Sequence, residues 1–154
     1  MNDDYGLLEY CLKQKELGRI KYLGFSAHGE LPTLRKFLEK YGKYMEFCQL
    51  QINYIDWTFQ KAKEKVELMK EYNIPVWVME PVRGGTLASI PEEFEARLKE
   101  ARPNESTVAW AFRFLQSIPE VTMILSGMSN EEQLKQNIAT FETDAKLNEK
   151  EMEL

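Results

Sequence analysis

An arginine followed by two glycines stands directly after a short apolar stretch of this 154-residue chain. Arg83, Gly84 and Gly85 combine a guanidinium that can pair with an anion and a backbone that can approach a ligand closely. The apolar stretch before them, residues 74–79, is bounded by turn signals and is typical of a strand buried on both faces. A charged, glycine-bearing loop after such a strand is the usual place of a ligand site in α/β proteins. The pattern therefore predicts an anion-binding site at the carboxyl end of this strand.

Polar residues follow three other strand-like stretches in the same way. They are Ser-Ala-His-Gly at 26–29, Gln-Ile-Asn-Tyr at 51–54 and Ser-Gly-Met-Ser at 126–129. Because parallel strands end at the same edge of a sheet, we expect the four segments to form one binding rim.

The strand predicted over residues 46–54 has two chemically different faces. Its apolar face carries Cys48, Leu50, Ile52 and Tyr54, and its other face carries Phe47, Gln49, Gln51 and Asn53. We expect the covering helices on the apolar face. A buried amide without a partner costs a few kcal/mol, so the amides on the other face need a ligand, polar core groups or solvent.

The elements that must position these segments alternate along the chain. We expect strands over residues 20–26, 46–54, 74–80 and 121–125, and helices over 5–17, 32–41, 58–72, 91–101, 105–116 and from Asn130 onward, with a charged tail over 146–154. One helix followed by four βα units predicts a parallel sheet with right-handed crossovers in a single domain, residues 1–154.

The helical spacing also predicts which side chains face the core. Inward positions are Ala62, Val66 and Met69 in one helix and Leu134, Ile138 and Phe141 in another. Asn130 is a good N-cap for the second of these helices, with Gln133 at the capping-box position.

Composition narrows the function classes. The chain has a net charge of -5 and a pI of about 5.1, with 44% hydrophobic and 29% charged residues. This balance disfavours a nucleic-acid or anionic-membrane binder. The apolar runs are too short for a membrane span, and residues 1–4 lack signal-peptide features. With Cys11 and Cys48 expected to be buried thiols, the sequence predicts a cytoplasmic protein.

Four ordered motifs make the chain resemble the aldo-keto reductases. They are Gly24-Phe25-Ser26, Gln51-x-x-Tyr54, Glu80-Pro81-Val82-Arg83-Gly84-Gly85, and Ser126-Gly127-Met128-Ser129-Asn130-x-x-Gln133-Leu134-x-x-x-Asn137. The residues of these motifs are most similar to those of the bacterial and archaeal branch that carries an iron–sulfur segment after the barrel. The resemblance implies a (β/α)₈ TIM barrel that reduces carbonyls with a nicotinamide cofactor. It covers only units five to eight, so the chain is expected to be half of such a barrel.

The resemblance also implies a place for each part of NADP or NAD. Ser26 and Gln51 match residues that hydrogen-bond the nicotinamide carboxamide, and Met79 would pack on its ring. The pyrophosphate would be held by Pro81, Val82, Arg83 and Gly84. The adenosine end would be held by Gly127, Met128, Ser129, Asn130, Gln133 and Asn137. A basic residue for a 2′-phosphate is absent from these last positions, which leaves NADP and NAD both open.

No catalytic residue is assigned in this chain. The family's Asp, Tyr, Lys and His belong to the first half, and the cysteines for an iron–sulfur cluster would follow the barrel. His28 and Tyr54 are candidates for a substrate pocket, whereas Glu80, beside Arg83, is expected to be an ion-paired or helix-capping carboxylate. No cysteine and histidine spacing predicts a metal site.

Two functions remain open from the sequence. The first is the cofactor-binding half of an oxidoreductase, inactive alone, whose bare strand edges predict self-association of half-barrels. The second is a non-catalytic βα module, an open sheet that binds an anion or a protein partner. Helices on one face of the sheet would favour the first, and helices on both faces the second.

Overall fold

Four short parallel strands form one sheet in the computed structural model, which describes residues 5–154. The strands are β1 (Gly24–Ala27), β2 (Phe47–Gln51), β3 (Val76–Met79) and β4 (Val121–Ile124), and they lie in the order β1-β2-β3-β4. Each strand therefore pairs with its neighbour along the chain, as successive βα units require. Residues 1–4, on which the signal-peptide prediction depends, lie outside the described part.

Eight helices connect and flank the strands within the described residues. They are α1 (Leu7–Glu16), α2 (Leu31–Tyr41), α3 (Asp56–Phe59), α4 (Ala62–Glu71), α5 (Glu92–Ala101), α6 (Thr107–Gln116), α7 (Glu131–Phe141) and α8 (Glu149–Met152), with short 3₁₀ turns at Gly42–Tyr44 and Thr86–Ala88. The predicted order of elements is confirmed, but every strand is shorter than its apolar pattern.

The core lies between the helices and one face of the sheet. Cys48, Leu50 and Ile52 are fully buried there, as the alternation predicts, against helix side chains such as Leu38 and Met69. The opposite face remains half-buried, and on it the Phe47 and Trp77 rings stack with their centroids 3.9 Å apart. A sheet covered on one face fits the barrel-type prediction, because an open sheet with two helical layers buries both faces.

The predicted helix over residues 58–72 is wrong at its start. The chain turns into α3 at Asp56, breaks at Lys61, which has a left-handed φ of 53°, and resumes as α4. No glycine or proline marks the break, so the sequence pattern does not reveal it. Ala62 and Met69 are buried as predicted.

The helix predicted from Asn130 onward is confirmed as α7, but the predicted burial of its apolar face is wrong. Leu134, Ile138 and Phe141 are 43%, 50% and 44% exposed, although they form one apolar face of the helix. They border an open cavity of about 390 Å³ beside β4. With Leu125 and Met128, which line the same cavity, they form a surface that we call the edge patch. The helical period shows that a face is apolar, but within residues 5–154 this face is only partly covered, with the Phe141 ring 5.1 Å from the Phe112 ring of α6.

Candidate functional site

The carboxyl ends of the strands bring the predicted rim residues to one side of the sheet. Gln51 and Met79 are register partners at the ends of β2 and β3. Ser26, exposed in β1, pairs in register with Gln49, which lies two residues before Gln51 in β2. Ser126 follows β4 by two residues. These four side chains therefore occupy neighbouring strand ends.

A buried carboxylate organises the end of β2. Asp56 is 0% exposed, and its Oδ2 accepts hydrogen bonds from Gln51 Nε2 at 2.8 Å and Asn53 Nδ2 at 2.7 Å. The Asp56 backbone N–H donates to Asn53 Oδ1 at 2.9 Å. Asn53 lies beyond the strand and is fully buried. Because its amide donates to Asp56, the partner that the sequence requires is a polar core group and not a ligand. Asp56 Oδ1 is buried without a partner among the described residues.

Arg83 completes this cluster from the neighbouring unit. Its Nε lies 3.5 Å from Asp56 Oδ2, and its guanidinium carbon lies 5.7 Å from the centre of the Phe59 ring. The expected ion pair with Glu80 is wrong, because Glu80 is exposed and pairs with no cation within residues 5–154. The carboxylate that faces Arg83 belongs instead to Asp56, the first residue of α3.

The loop that carries Arg83 has an unusual backbone. Glu80, Arg83, Gly84 and Gly85 all have left-handed φ values, between 50° and 89°. The left-handed conformation costs a non-glycine residue roughly 1–2 kcal/mol. Turn hydrogen bonds hold the loop, including Arg83 N–H to the Glu80 carbonyl at 3.0 Å. The backbone N–H groups of Val82 and Gly84 donate to nothing within residues 5–154, and Pro81 is buried beneath them.

The segment after β4 is tied to α7 by side chains of the predicted adenosine site. Asn130 caps the helix by accepting from Gln133 N–H at 2.9 Å, as predicted. Gln133 Oε1 accepts from the Ser129 N–H at 2.8 Å. In a capping box it would accept from the N–H of the N-cap residue Asn130, so the observed donor lies one residue earlier. Asn137 Nδ2 reaches Ser126 Oγ at 3.4 Å. Gly127 and Met128 are exposed between these contacts.

The two candidates for a substrate pocket lie apart. His28 is exposed in the loop after β1 and has no hydrogen-bond partner within the described chain. Tyr54 faces the helix layer, where it meets Phe114 edge-on at 6.3 Å and lines a cavity of about 490 Å³. Burial raises the pKa of the Tyr54 phenol, whose oxygen has no partner among the described residues. Burial also raises the pKa of the Cys48 thiol to about 12.

Sequence reasoning missed Asp56, the residue with most contacts in the cluster. A weak signal existed, since an Asn three residues before an acidic residue is close to the N-cap pattern, in which the Asn side chain accepts a backbone N–H. The described residues contain no group of three or more Cys, His, Asp or Glu side chains able to hold a metal ion. No helix among them is long and apolar enough to span a membrane.

Solved structures share this fold. The chain matches an aldo-keto reductase of Bacillus halodurans in its holo form with a TM-score of 0.73 and 21% identity, over 92% of this chain and 51% of that one. A thermostable aldo-keto reductase solved with epalrestat matches with a TM-score of 0.75 and 21% identity, over 95% and 51%. An enzyme of Klebsiella pneumoniae solved with NADP and acetate gives 0.70 and 15%, over 92% and 49%.

The chain thus spans about half the length of the structures that it matches. These likenesses confirm an α/β fold of the TIM-barrel type. No curated protein sequence shows a significant match. The sequence model of the Aldo/keto reductase family matches residues 6–154. Together with the four ordered motifs at the strand ends, that match shows that the chain belongs to the aldo/keto reductase family.

Proposed function

We propose that this chain is the cofactor-binding half, units five to eight, of an NAD(P)H-dependent carbonyl reductase. The observation that carries the proposal is the meeting of Gln51 and Arg83 on one buried carboxylate at adjacent strand ends. An amide and a cation held together suit a ligand with both an amide and an anion. A nicotinamide nucleotide has this combination.

The remaining roles follow the strand ends. Ser26 and Gln51 bind the carboxamide, Met79 packs on the nicotinamide ring, and residues 81–84 wrap the pyrophosphate. The free N–H groups of Val82 and Gly84 add donors for that anion. The segment from Gly127 to Asn130, with Gln133 and Asn137, takes the adenosine end. The Klebsiella pneumoniae relative solved with NADP supports this cofactor class.

In the complete enzyme the nicotinamide held by these residues would supply a hydride for the carbonyl carbon of a small substrate, and a residue outside this chain would supply the proton. Ser26, Gln51 and Met79 orient the ring, and His28, exposed in the loop after β1, is the proposed substrate contact. The chain alone is therefore expected to be inactive. An iron–sulfur segment in the full protein and a cytoplasmic location remain predictions from the sequence.

Self-association follows from the same half-barrel geometry. Strands β1 and β4 each have one edge unpaired within the described sheet, and the edge patch lies beside β4. Two copies that pair through these strand edges would cover both the unpaired edges and the edge patch. Sedimentation should then show a dimer that I138E dissociates, whereas K135E on the exposed side of α7 leaves it intact. A folded wild-type monomer at all concentrations contradicts this part.

Calorimetric titration with NADPH and NADH tests the cofactor role. We expect saturable binding, weakened at least about tenfold by Q51A and by R83A, because each removes a hydrogen-bonding or charged contact. R35A removes an arginine paired with Glu71 on the surface, and Q14A removes a half-buried amide that accepts from Arg19 away from the strand ends, so both serve as matched controls. Absence of binding at millimolar cofactor would contradict the proposal and favour a module that binds another anion or a protein.

A further inference from the structure

We infer that Asp56 is the positioning residue that decides which atoms Gln51 and Arg83 present to the cofactor; this rests on the proposed function. One oxygen, Asp56 Oδ2, receives Gln51 Nε2 at 2.8 Å and faces Arg83 Nε at 3.5 Å. The side chain is fully buried. It therefore acts through its two neighbours and does not touch the ligand itself.

The carboxylate fixes the orientation of the Gln51 amide. A carboxylate only accepts hydrogen bonds, so the amide must turn its nitrogen toward Asp56 and its oxygen away. Gln51 Oε1 accepts nothing within residues 5–154, and the side chain is half-buried at the strand end. The site thus presents an acceptor, which suits a group that donates. The NH₂ of a carboxamide is such a group, whereas a carboxylate in its place is not.

The same carboxylate directs the Arg83 guanidinium. With Nε facing Asp56 and the Phe59 ring on one side, the two terminal nitrogens make no hydrogen bond to the described residues. Planar terminal nitrogens bind phosphate oxygens in pairs. The buried Asp56 side chain therefore orients both Gln51, which binds the carboxamide, and Arg83, which binds the phosphate oxygens.

Asp56 is itself held by a network that joins two βα units. Asn53 Nδ2 donates to Asp56 Oδ2 and also lies 3.1 Å from the Glu80 carbonyl oxygen. Asn53 Oδ1 accepts the Asp56 backbone N–H. The end of β2 is thereby fastened to the loop that begins at Glu80. A change at Asp56 should alter selectivity at Gln51, which a role in folding alone would not do.

Binding of NADP⁺ and of its acid analogue, in which a carboxylate replaces the carboxamide, tests this inference by calorimetry. The wild type should bind NADP⁺ about 10-fold to 100-fold more tightly than the acid analogue, because the analogue's carboxylate would face the Gln51 side-chain oxygen, which cannot donate a hydrogen bond to it. In D56A the amide is free to turn, and the preference should fall to about twofold or less. D56N keeps an acceptor oxygen for Gln51, so it should restore most of the preference. D144A, which removes an exposed carboxylate, is the matched control.

A folded D56A that keeps the wild-type preference overturns the inference. A second measurement decides the matter if D56A does not fold. Side-chain amide protons of Gln51, assigned through Q51A, should exchange with solvent at least about tenfold more slowly than those of Gln14, because they are bonded to a buried carboxylate. Equal exchange rates in the wild type overturn the inference. Slow exchange without any nucleotide binding would contradict the proposed function and support the Asp56 geometry.

Discussion

At the end of interior strand β2, Gln51 and Asn53 donate to a buried carboxylate, whereas Leu134 and Ile138 beside edge strand β4 lie half exposed. Strand β2 has a paired neighbour on each side, and β4 has one. Polar groups at the interior end find partners in their own βα unit, at Asp56, and in the next unit, at Arg83 and the Glu80 carbonyl. Apolar groups at the edge are only partly covered within the described chain. The two regions therefore differ in how many of their contacts come from residues of this chain.

Truncating a leucine in each region should give the largest difference. L50A removes a buried side chain under the helices and should lower the free energy of unfolding by about 3 kcal/mol. L134A removes a side chain of the edge patch that is 43% exposed and should cost less than about 1 kcal/mol in the monomer. Urea unfolding of dilute protein measures both. Equal losses would show that the edge patch is covered.

Substituting Gly24, which packs against a β2 side chain, and Gly127, which follows β4, should have a smaller effect. A Cβ on Gly24 would lie 2.5 Å from the Phe47 ring, whereas one on Gly127 meets nothing within 4 Å. G24A should destabilise the protein by about 1–3 kcal/mol through overpacking and should shift the fluorescence of Trp77, on which Phe47 stacks. G127A should leave stability and emission unchanged. An unaltered spectrum in G24A would contradict the described packing of the open sheet face.

The carboxyl-terminal helix offers the smallest effect, outside both regions. Hydrogen bonds from Arg102 and from the Asn148 backbone lower the pKa of Glu151 to about 2. A carboxyl with a lowered pKa stabilises the fold above its unfolded pKa, and this contribution is lost as the pH falls toward the folded value. E151Q should therefore lower the melting temperature near pH 6 by an amount worth at most about 1 kcal/mol.

The difference between wild type and E151Q should shrink as the pH falls below about 4.5 and vanish near pH 2. E149Q, an exposed change on the same helix, should match the wild type throughout. A difference that grows with acidity would contradict the contacts of Glu151.

Local periodicity predicts the parts of the fold that depend on neighbours within one element. The alternation over β2 gives the buried face correctly, and the spacing in α4 gives Ala62 and Met69. The pairing of Arg83 with Asp56 was not predicted, because Arg83 reaches that carboxylate from the next βα unit and the sequence does not show that distance. The exposure of α7 was not predicted either. A pattern shows an apolar face without showing what covers it.

The most direct test of the nucleotide site maps it at residue level. We expect NADPH added to the ¹⁵N-labelled chain to shift the backbone amides of Ser26, Gln51, Arg83 and Gly127 together, with one common saturation curve. Amides at the opposite end of the strands, such as those of Phe47 and Val76, should stay in place. Saturable shifts confined to residues away from these four strand ends, or no shifts at saturating cofactor, would contradict the account.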